Sequence, residues 1–594
     1  MNAHAARLLA PGAAPLVARR HEVAAARSLQ AEQVTAPAST PKQRGCMPFI
    51  GLVLDYLPGQ RIAVERLLTL DEDLHLADHH FVPANGVKPL SACYPVLPMT
   101  FSLEIMAEIA ACLAPGLGLC GFERVSAGRW IALEDSGTLA LRIEARASPP
   151  PAIGVAGALR HITVAVYAAG QHSAAISATV LFGASYESSL ALSFPEAPTE
   201  VTLEAAAIYA KRQLFHGPRL RPLTGQVTLH GAGIRATLRT RATHDLFRSH
   251  EQPCLLTDPA LLDGIGQMMG IWAMRRQRIS FPVGIGKFEL YGPTPAPGTA
   301  VGALVRITAS SAKTISADVE LDDGAGRVWL RVRDWKSWLF QWDGHLIDFR
   351  RAPTRHLLSE TLVLPGVDGA ALCQRMTAAR GAGIDRTLLA RHYLHLNEMA
   401  PFAAMGAVPQ RQLSWLLGRI AAKDAVRAWS AARDNAPRML HPAAFSIGNT
   451  GSGQPLVLDW PHAHRPPPAL SIAHCDDQAL AMVAAGACGI DIERVVARAP
   501  AFLASIASPA EAALLPQQPA ALLPSSVTRL WCAKEVLGKL LSIGVTPGPR
   551  HFQARRIDGA GTLLMEHRSS GRTASVRTLL DGDYLCAYAV AADG

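Results

Sequence analysis

Thr314-Ile315-Ser316-Ala317-Asp318-Val319-Glu320-Leu321, then Asp322-Asp323-Gly324-Ala325-Gly326, then Arg327-Val328-Trp329-Leu330-Arg331-Val332-Arg333-Asp334-Trp335 reads as an antiparallel hairpin. Ile315, Ala317, Val319 and Leu321 alternate with polar residues, Val328, Leu330 and Val332 repeat that period after the turn, and the Asp/Gly cluster supplies the reversal. Another strand-like run, Ala300–Thr308, precedes it, and before that Leu261–Arg275 has helical spacing. The same plan occurs earlier. A helix over Phe101–Leu113, with Leu103, Met106, Ala107 and Ala110 on one face, is followed by runs at Leu139–Ala145, His161–Tyr167 and Ala175–Phe182. Glu104 and Glu108 interrupt the apolar segment Leu97–Leu117, which therefore reads as amphipathic. Periodicity up to about residue 343 thus gives an α+β arrangement present twice.

At 594 residues the chain is too long for one core, and a prior of about 150 residues per domain gives three or four units. Hydrophobic residues make up 49% and charged residues 18%, which excludes a disordered chain. No apolar run reaches the ~18 residues of a membrane span, and the Ala- and Arg-rich start lacks a signal-peptide pattern. Ten cysteines without a CxxC pair indicate neither a zinc site nor a disulfide framework, and a cytoplasmic setting fits best. The net charge of +9 suits anionic partners and equally reflects a general preference for arginine. No basic, aromatic-interleaved patch points to nucleic acid.

Beyond Trp342 the pattern changes. Residues 350–440 read as mostly helical, with an amphipathic stretch Gln410–Trp429. Farther on comes Gly489-Ile490-Asp491-Ile492-Glu493, where strand alternation puts Asp491 and Glu493 on one face and both isoleucines in the core. Alone, that is as readily a solvent-facing strand edge. Paired carboxylates also suit a hard cation such as magnesium. About forty residues later, Trp531-Cys532-Ala533-Lys534-Glu535-Val536-Leu537-Gly538-Lys539 has helical spacing and places Glu535 and Lys539 on one face, an ordinary helix ion pair by itself. Lysine is scarce, however: only Lys423, Lys534 and Lys539 occur beyond residue 345. A compact ammonium suits point-charge contact with phosphate.

These two motifs resemble the signature of 4'-phosphopantetheinyl transferases. Leu470-Ser471-Ile472-Ala473-His474-Cys475 is similar to that family's histidine-bearing strand, with Cys475 where serine is usual. Trp415-Leu416-Leu417-Gly418-Arg419-Ile420-Ala421-Ala422-Lys423 is similar to its basic helix. The resemblance implies an α+β domain with pseudo-twofold halves. It implies Mg2+ held on coenzyme A by Asp491, Glu493 and Glu535, with Lys534 and Lys539 balancing developing charge. It implies Glu535 as base toward a carrier-protein serine, and Arg419, Lys423, His474, Lys534 and Lys539 as contacts to coenzyme A. Glu511, between the motifs, stands where the family often has a further acid.

In the first half, Asp78-His79-His80 precedes Tyr94-Pro95-Val96-Leu97-Pro98, and Asp258-Pro259-Ala260-Leu261-Leu262-Asp263-Gly264-Ile265-Gly266-Gln267 opens the second helix. A histidine from one repeat and an aspartate from the other make an acid–base pair suited to removing water from a β-hydroxyacyl thioester. With Phe215-His216-Gly217-Pro218 and Leu290-Tyr291-Gly292-Pro293, these segments resemble polyketide synthase dehydratases of the enediyne and polyunsaturated-fatty-acid type, which have a double hotdog fold. The resemblance implies His79 as base (His80 being the other register), Asp263 as acid and Gln267 as its orienting neighbour. Pro83 stands where the family usually has glycine. His216 reads as structural.

The expected organisation is a flexible tail over 1–45, hotdogs over 46–200 and 201–343, and a transferase over 344–594. The expected function is holo-carrier synthesis with dehydration of β-hydroxyacyl carriers in polyketide or polyunsaturated lipid assembly. The expected partners are coenzyme A, an acyl carrier protein and other synthase subunits met in trans, with no nucleic acid and no membrane. The alternatives for the hotdog half are a catalytically inert docking scaffold and a thioesterase.

Overall fold

The computed structural model describes residues 47–149, 158–192, 198–250, 252–367, 369–462, 464–515, 522–558 and 561–591. The tail read at 1–45 lies outside them. The chain divides into two compact units, one of Leu90–Gln341 with the residues up to Phe81, the other of Val82–Pro89 with Trp342–Gly594.

In the first unit the strands are β1 (Leu52–Leu57), β2 (Arg61–Thr69), β3 (Gly118–Ala127), β4 (Thr138–Ala147), β5 (Arg160–Ala168), β6 (Ile176–Gly183), β7 (Val201–Glu204), β8 (Leu223–His230), β9 (Gly233–Arg239), β10 (Arg278–Leu290), β11 (Ala300–Ser310), β12 (Thr314–Asp322) and β13 (Val328–Gln341). They form one sheet in the order β1-β2-β4-β5-β6-β3-β10-β13-β12-β11-β9-β8-β7. The hairpin quoted above is β12–β13, with its turn glycines at positive φ. The two copies join where β3 pairs antiparallel with β10. There Gly121 has a φ of 154°, and a Cβ on it would sit 1.9 Å from the carbonyl oxygen of Phe288, so the seam admits no side chain.

Two helices, α1 (Met99–Ala111) and α2 (Pro259–Met274), pack on each other and share one core with both halves of the sheet. This is a double hotdog. The helices are wrapped rather than laid on a surface, which corrects the amphipathic reading of α1: Met99 to Ala110 are all buried, Glu104 and Glu108 included. Glu104 accepts from the backbone N–H groups of Leu256 (2.6 Å) and Thr257 (2.7 Å), and Glu108 from that of Phe49 (2.8 Å). Burial raises the Glu104 carboxyl to about 7 and, together with the Glu104 charge, lifts Glu108 well above the usual range.

The second unit repeats one plan twice. Its strands are β14 (Glu360–Leu362), β15 (Ala371–Thr377), β16 (Ser446–Asn449), β17 (Pro455–Leu458), β18 (Ala469–Cys475), β19 (Gln478–Ala484), β20 (Cys488–Arg494), β21 (Phe552–Ile557), β22 (Leu563–His567), β23 (Thr573–Asp581) and β24 (Tyr584–Val590). Its long helices are α3 (Pro409–Asp434) and α4 (Leu523–Leu540). In the first half β15 pairs with β19 and α3 packs on both, and in the second β20 pairs with β24 and α4 packs on both. The strands β14 and β15 fall where the sequence read as helical. They are too short and too polar on one face for periodicity to separate them from loops.

Candidate active sites

His79 caps a short 3-10 turn, Leu74–Asp78, and is held by its own backbone: Val96 N–H donates to the His79 carbonyl at 2.9 Å. Its Nδ1 lies 2.6 Å from the Val96 carbonyl, which can only accept, so the ring proton sits on Nδ1 and Nε2 keeps a lone pair. Burial and the neighbouring His216 pull the imidazole down to about 4, although Asp263 opposes them. His79 is therefore a neutral base near pH 7. It faces a cavity of about 90 Å3 walled by Phe81, Met99, Trp130, Phe215, Phe281 and Trp335, and His80 is not among the lining residues.

Asp263 lies in the second turn of α2, and Gln267, one turn on, donates Nε2–H to its Oδ2 at 2.8 Å. Gln267 is fixed in turn by the Leu220 carbonyl (2.8 Å) and by the Tyr209 hydroxyl, which donates to its Oε1 (2.7 Å). His216 Nε2 stands 3.0 Å from the same Asp263 Oδ2. The ligating atoms of His79, His216 and Asp263 all lie within 4.8 Å of one another, the one such trio among the described residues. His216, read from the sequence as structural, thus stands within the cluster beside Asp263. Nothing in Phe-His-Gly-Pro marks it. The fold delivers it through Asp78, whose carbonyl accepts from Gly217 N–H (2.7 Å) and whose Oδ2 accepts from Arg219 N–H (2.8 Å).

In the second unit each half contains the same lysine lock. Lys423 on α3 points its Nζ at Glu398 Oε2 (2.7 Å) and at the carbonyls of Pro442 (3.0 Å) and Phe445. Lys534 on α4 does so with Glu511 Oε1 (2.6 Å) and the carbonyls of Pro549 (3.1 Å) and Phe552. Each glutamate also closes a helical capping box and accepts a backbone N–H two residues past the phenylalanine, Ile447 (3.0 Å) or Ala554 (2.9 Å). Both ammonium groups are fully buried with three acceptors each, which satisfies every N–H they carry. This corrects the expectation that Lys423 and Lys534 contact coenzyme A. It also removes Glu511 as a metal ligand.

The remaining residues gather around β20 and α4. Lys539 donates to Asp491 Oδ1 (2.8 Å) and to the Ile490 carbonyl (2.9 Å). Glu493 bonds Arg498 (2.9 Å) and accepts from Trp531 Nε1 (3.2 Å). Burial, then the charges of Asp491 and Glu493, raises the Glu535 carboxyl against the opposing pull of Lys539, so the three acids share one electrostatic neighbourhood. They stand farther apart than a closed trio, each of the two strand acids leaning on its own cation. The set nonetheless fits Mg2+. Asp491 Oδ2 is buried without an N–H or O–H partner, with the Cys532 thiol beside the carboxyl, and the ligand atoms are all hard oxygens.

Arg419 stacks 4.5 Å over Trp415 and reaches Glu398 at 3.6 Å. His474, on β18, packs so closely on α3 that a Cβ at Gly418 would lie 2.2 Å from its Nε2. Desolvation and the charges of Lys539 and Arg419 hold His474 below its ordinary value, so it serves as a neutral group near pH 7. Arg419, His474 and Lys539 are thus neighbours, whereas Lys423 and Lys534 are committed elsewhere.

Comparison with known families agrees with both halves. Residues 190–337 match the model of the polyketide synthase dehydratase N-terminal domain, and residues 487–589 match that of the 4'-phosphopantetheinyl transferase superfamily. The chain accordingly carries a dehydratase domain of the polyketide synthase kind and a transferase domain of that superfamily. Among solved structures it is similar to the dehydratase domain of the CurF module of curacin polyketide synthase (15% identity, TM-score 0.38, 50% of this chain and 99% of that one). It is also similar to the dehydratase domain of PpsC from Mycobacterium tuberculosis (17%, 0.36, 50% and 99%) and to a trans-AT polyketide synthase dehydratase domain from Brevibacillus brevis (16%, 0.37, 50% and 99%). No curated protein matches the chain.

Proposed function

We propose that the second unit moves 4'-phosphopantetheine from coenzyme A to a serine of an acyl carrier protein, and that the first dehydrates β-hydroxyacyl thioesters on such a carrier. The domain division proposed is 46–200 and 201–343 for the hotdogs and 344–594 for the transferase. The observation that carries the transferase reading is the buried Asp491 Oδ2, without an N–H or O–H partner, beside Glu535, a carboxyl raised by two like charges. Asp491, Glu493 and Glu535 would hold Mg2+, whose chemistry there is to polarise a phosphate oxygen. The raised Glu535 is matched to take the serine proton as the serine oxygen bonds to phosphorus and the bond to the nucleotide phosphate breaks. Lys539 would release Asp491 to offset charge on the departing phosphate, and Arg419 and His474 would orient the nucleotide.

In the first unit His79 Nε2 takes the α-proton, Asp263 serves the acid side, and Gln267 orients it. Lys423 and Lys534 act as internal braces. Proposed partners are coenzyme A, carrier proteins and other polyketide synthase subunits. No helix of the described residues is long and apolar enough to cross a membrane, and a cytoplasmic setting is part of the proposal. The test is incubation with coenzyme A, Mg2+ and an apo-carrier, read by mass spectrometry. The carrier should gain the arm's mass. Failure beside a working transferase would overturn the reading.

A further inference from the structure

Resting on the dehydratase reading, we propose that His216 is a catalytic residue: with Asp263 it forms the pair that supplies the proton departing with the β-hydroxyl. Asp263 alone is poorly placed for that task. Its Oδ2 accepts from both Gln267 Nε2 (2.8 Å) and His216 Nε2 (3.0 Å), so the shared proton resides on His216. Burial pushes the Asp263 carboxyl up, but His216, by charge and hydrogen bond, and the Gln267 hydrogen bond outweigh it and hold the group below its usual range. A carboxylate held ionised has no proton to give, whereas an imidazole bonded to it can take up the proton that the reaction needs.

Three further features separate His216 from a packing residue. It lines the cavity, as His79 and Asp263 do. It stands 5.2 Å, centroid to centroid, from His79, so base and proton source address adjacent carbons of one substrate. Its Nδ1 is buried with no hydrogen-bond partner, in contrast to His79, whose Nδ1 is tied to Val96. Only the pair with one added proton, an imidazolium on the carboxylate or an imidazole on the carboxylic acid, can give a proton up and end as a neutral ring beside a carboxylate.

The step balances. The Cα–H bond breaks, its electron pair becomes the second bond of the alkene, and the proton goes to His79 Nε2. The Cβ–O bond breaks with its pair on oxygen, which takes the proton added to the His216–Asp263 pair, leaving a neutral imidazole beside a carboxylate, and departs as water. Exchange with solvent reprotonates the pair and frees His79, so no other reactant is needed.

The test compares two substrates on the full chain. A β-hydroxyacyl carrier needs a proton on its leaving group, whereas a β-chloroacyl carrier expels chloride without one. His216→Phe should lower kcat for the hydroxy substrate by about 100-fold or more while changing chloride release less than about 5-fold. His79→Gln should lose both. His216→Gln keeps an N–H donor for Asp263 but has no proton to release, so it should match the phenylalanine variant. Equal losses on both substrates, no loss on either, or rescue by glutamine would overturn the proposal. A wild-type chain inert toward both would instead sink the dehydratase reading beneath it.

Discussion

The two halves of the second unit are built alike and used differently. Each sets a buried lysine on a long helix against a capping-box glutamate and two carbonyls, and each follows that lysine with an acid, Asp424 or Glu535. Asp424 is fully buried and spent: it accepts from the N–H groups of Leu358 and Ser359 (both 3.0 Å), the Ser359 hydroxyl (2.8 Å) and the Tyr393 hydroxyl (3.2 Å), and pairs with Arg427. Glu535 is half-buried, makes no hydrogen bond among the described residues, and sits in the field of two other carboxylates. One acid holds the fold together, and the other is kept available. The duplication supplies a scaffold, and on the proposed reading the acid left without hydrogen bonds is the one that takes the serine proton.

The largest expected effect would break that contrast if absent. Asp491→Ala and Glu535→Gln should each cut carrier loading by about 1,000-fold or more, with thermal midpoints close to wild type, as removal of charge-stabilising groups does elsewhere. Asp424→Asn should do the reverse. It leaves Arg427 and the amides of Leu358 and Ser359 poorly paired in a buried site, so denaturant titration should show a loss of about 3 kcal/mol, with loading per folded molecule unchanged. Lys423→Met and Lys534→Met should destabilise by similar amounts, roughly 3 kcal/mol, by stranding Glu398 and Glu511, and the double change Lys534→Met/Glu511→Leu should recover much of it. A raised KM for coenzyme A without destabilisation would restore the lysines as phosphate contacts.

The smallest effect contrasts the two units. Glu104 and Glu108 are buried with no cation bonded to them among the described residues, unlike the braced glutamates of the second unit. Because the Glu104 carboxyl is raised in the fold, its contribution is fully present below about pH 4.5 and is lost as pH rises through about 7. Buried His75 and His79, depressed to about 3 and about 4, act with the opposite sign, their contribution being lost as pH falls below about 6.5. The difference between wild type and Glu104→Gln isolates the carboxyl: melting at pH 5 and pH 7 should show the variant gaining on wild type at the higher pH by on the order of 2 kcal/mol.

Much of this was legible in the chain before any fold was known, where local period carried the information. The β12–β13 hairpin, both hotdog helices and the alternation around Asp491 follow from the spacing of apolar residues. Three things were not, each because burial depends on distant segments. Glu104 and Glu108 looked like the polar side of a surface helix, but a sheet that closes round α1 leaves it no polar side. The scarcity of lysine marked Lys423 and Lys534 as special, yet the property selected is an ammonium that satisfies three internal acceptors, which phosphate contact would also favour. His216 has no neighbour in sequence that identifies it, since its partners lie 137 and 47 positions away.

Asp78 and Gly217, the residues just before His79 and just after His216, form a seam. Gly217 lies so close that a Cβ there would fall 2.1 Å from Asp78 Oδ1. The gap between the two histidines is therefore set like a rivet through two plates, by a single missing methyl group. An alanine at that glycine, the mildest exchange, would drive a methyl group into the Asp78 carboxylate, so one of the two strips of chain carrying the histidines would have to shift.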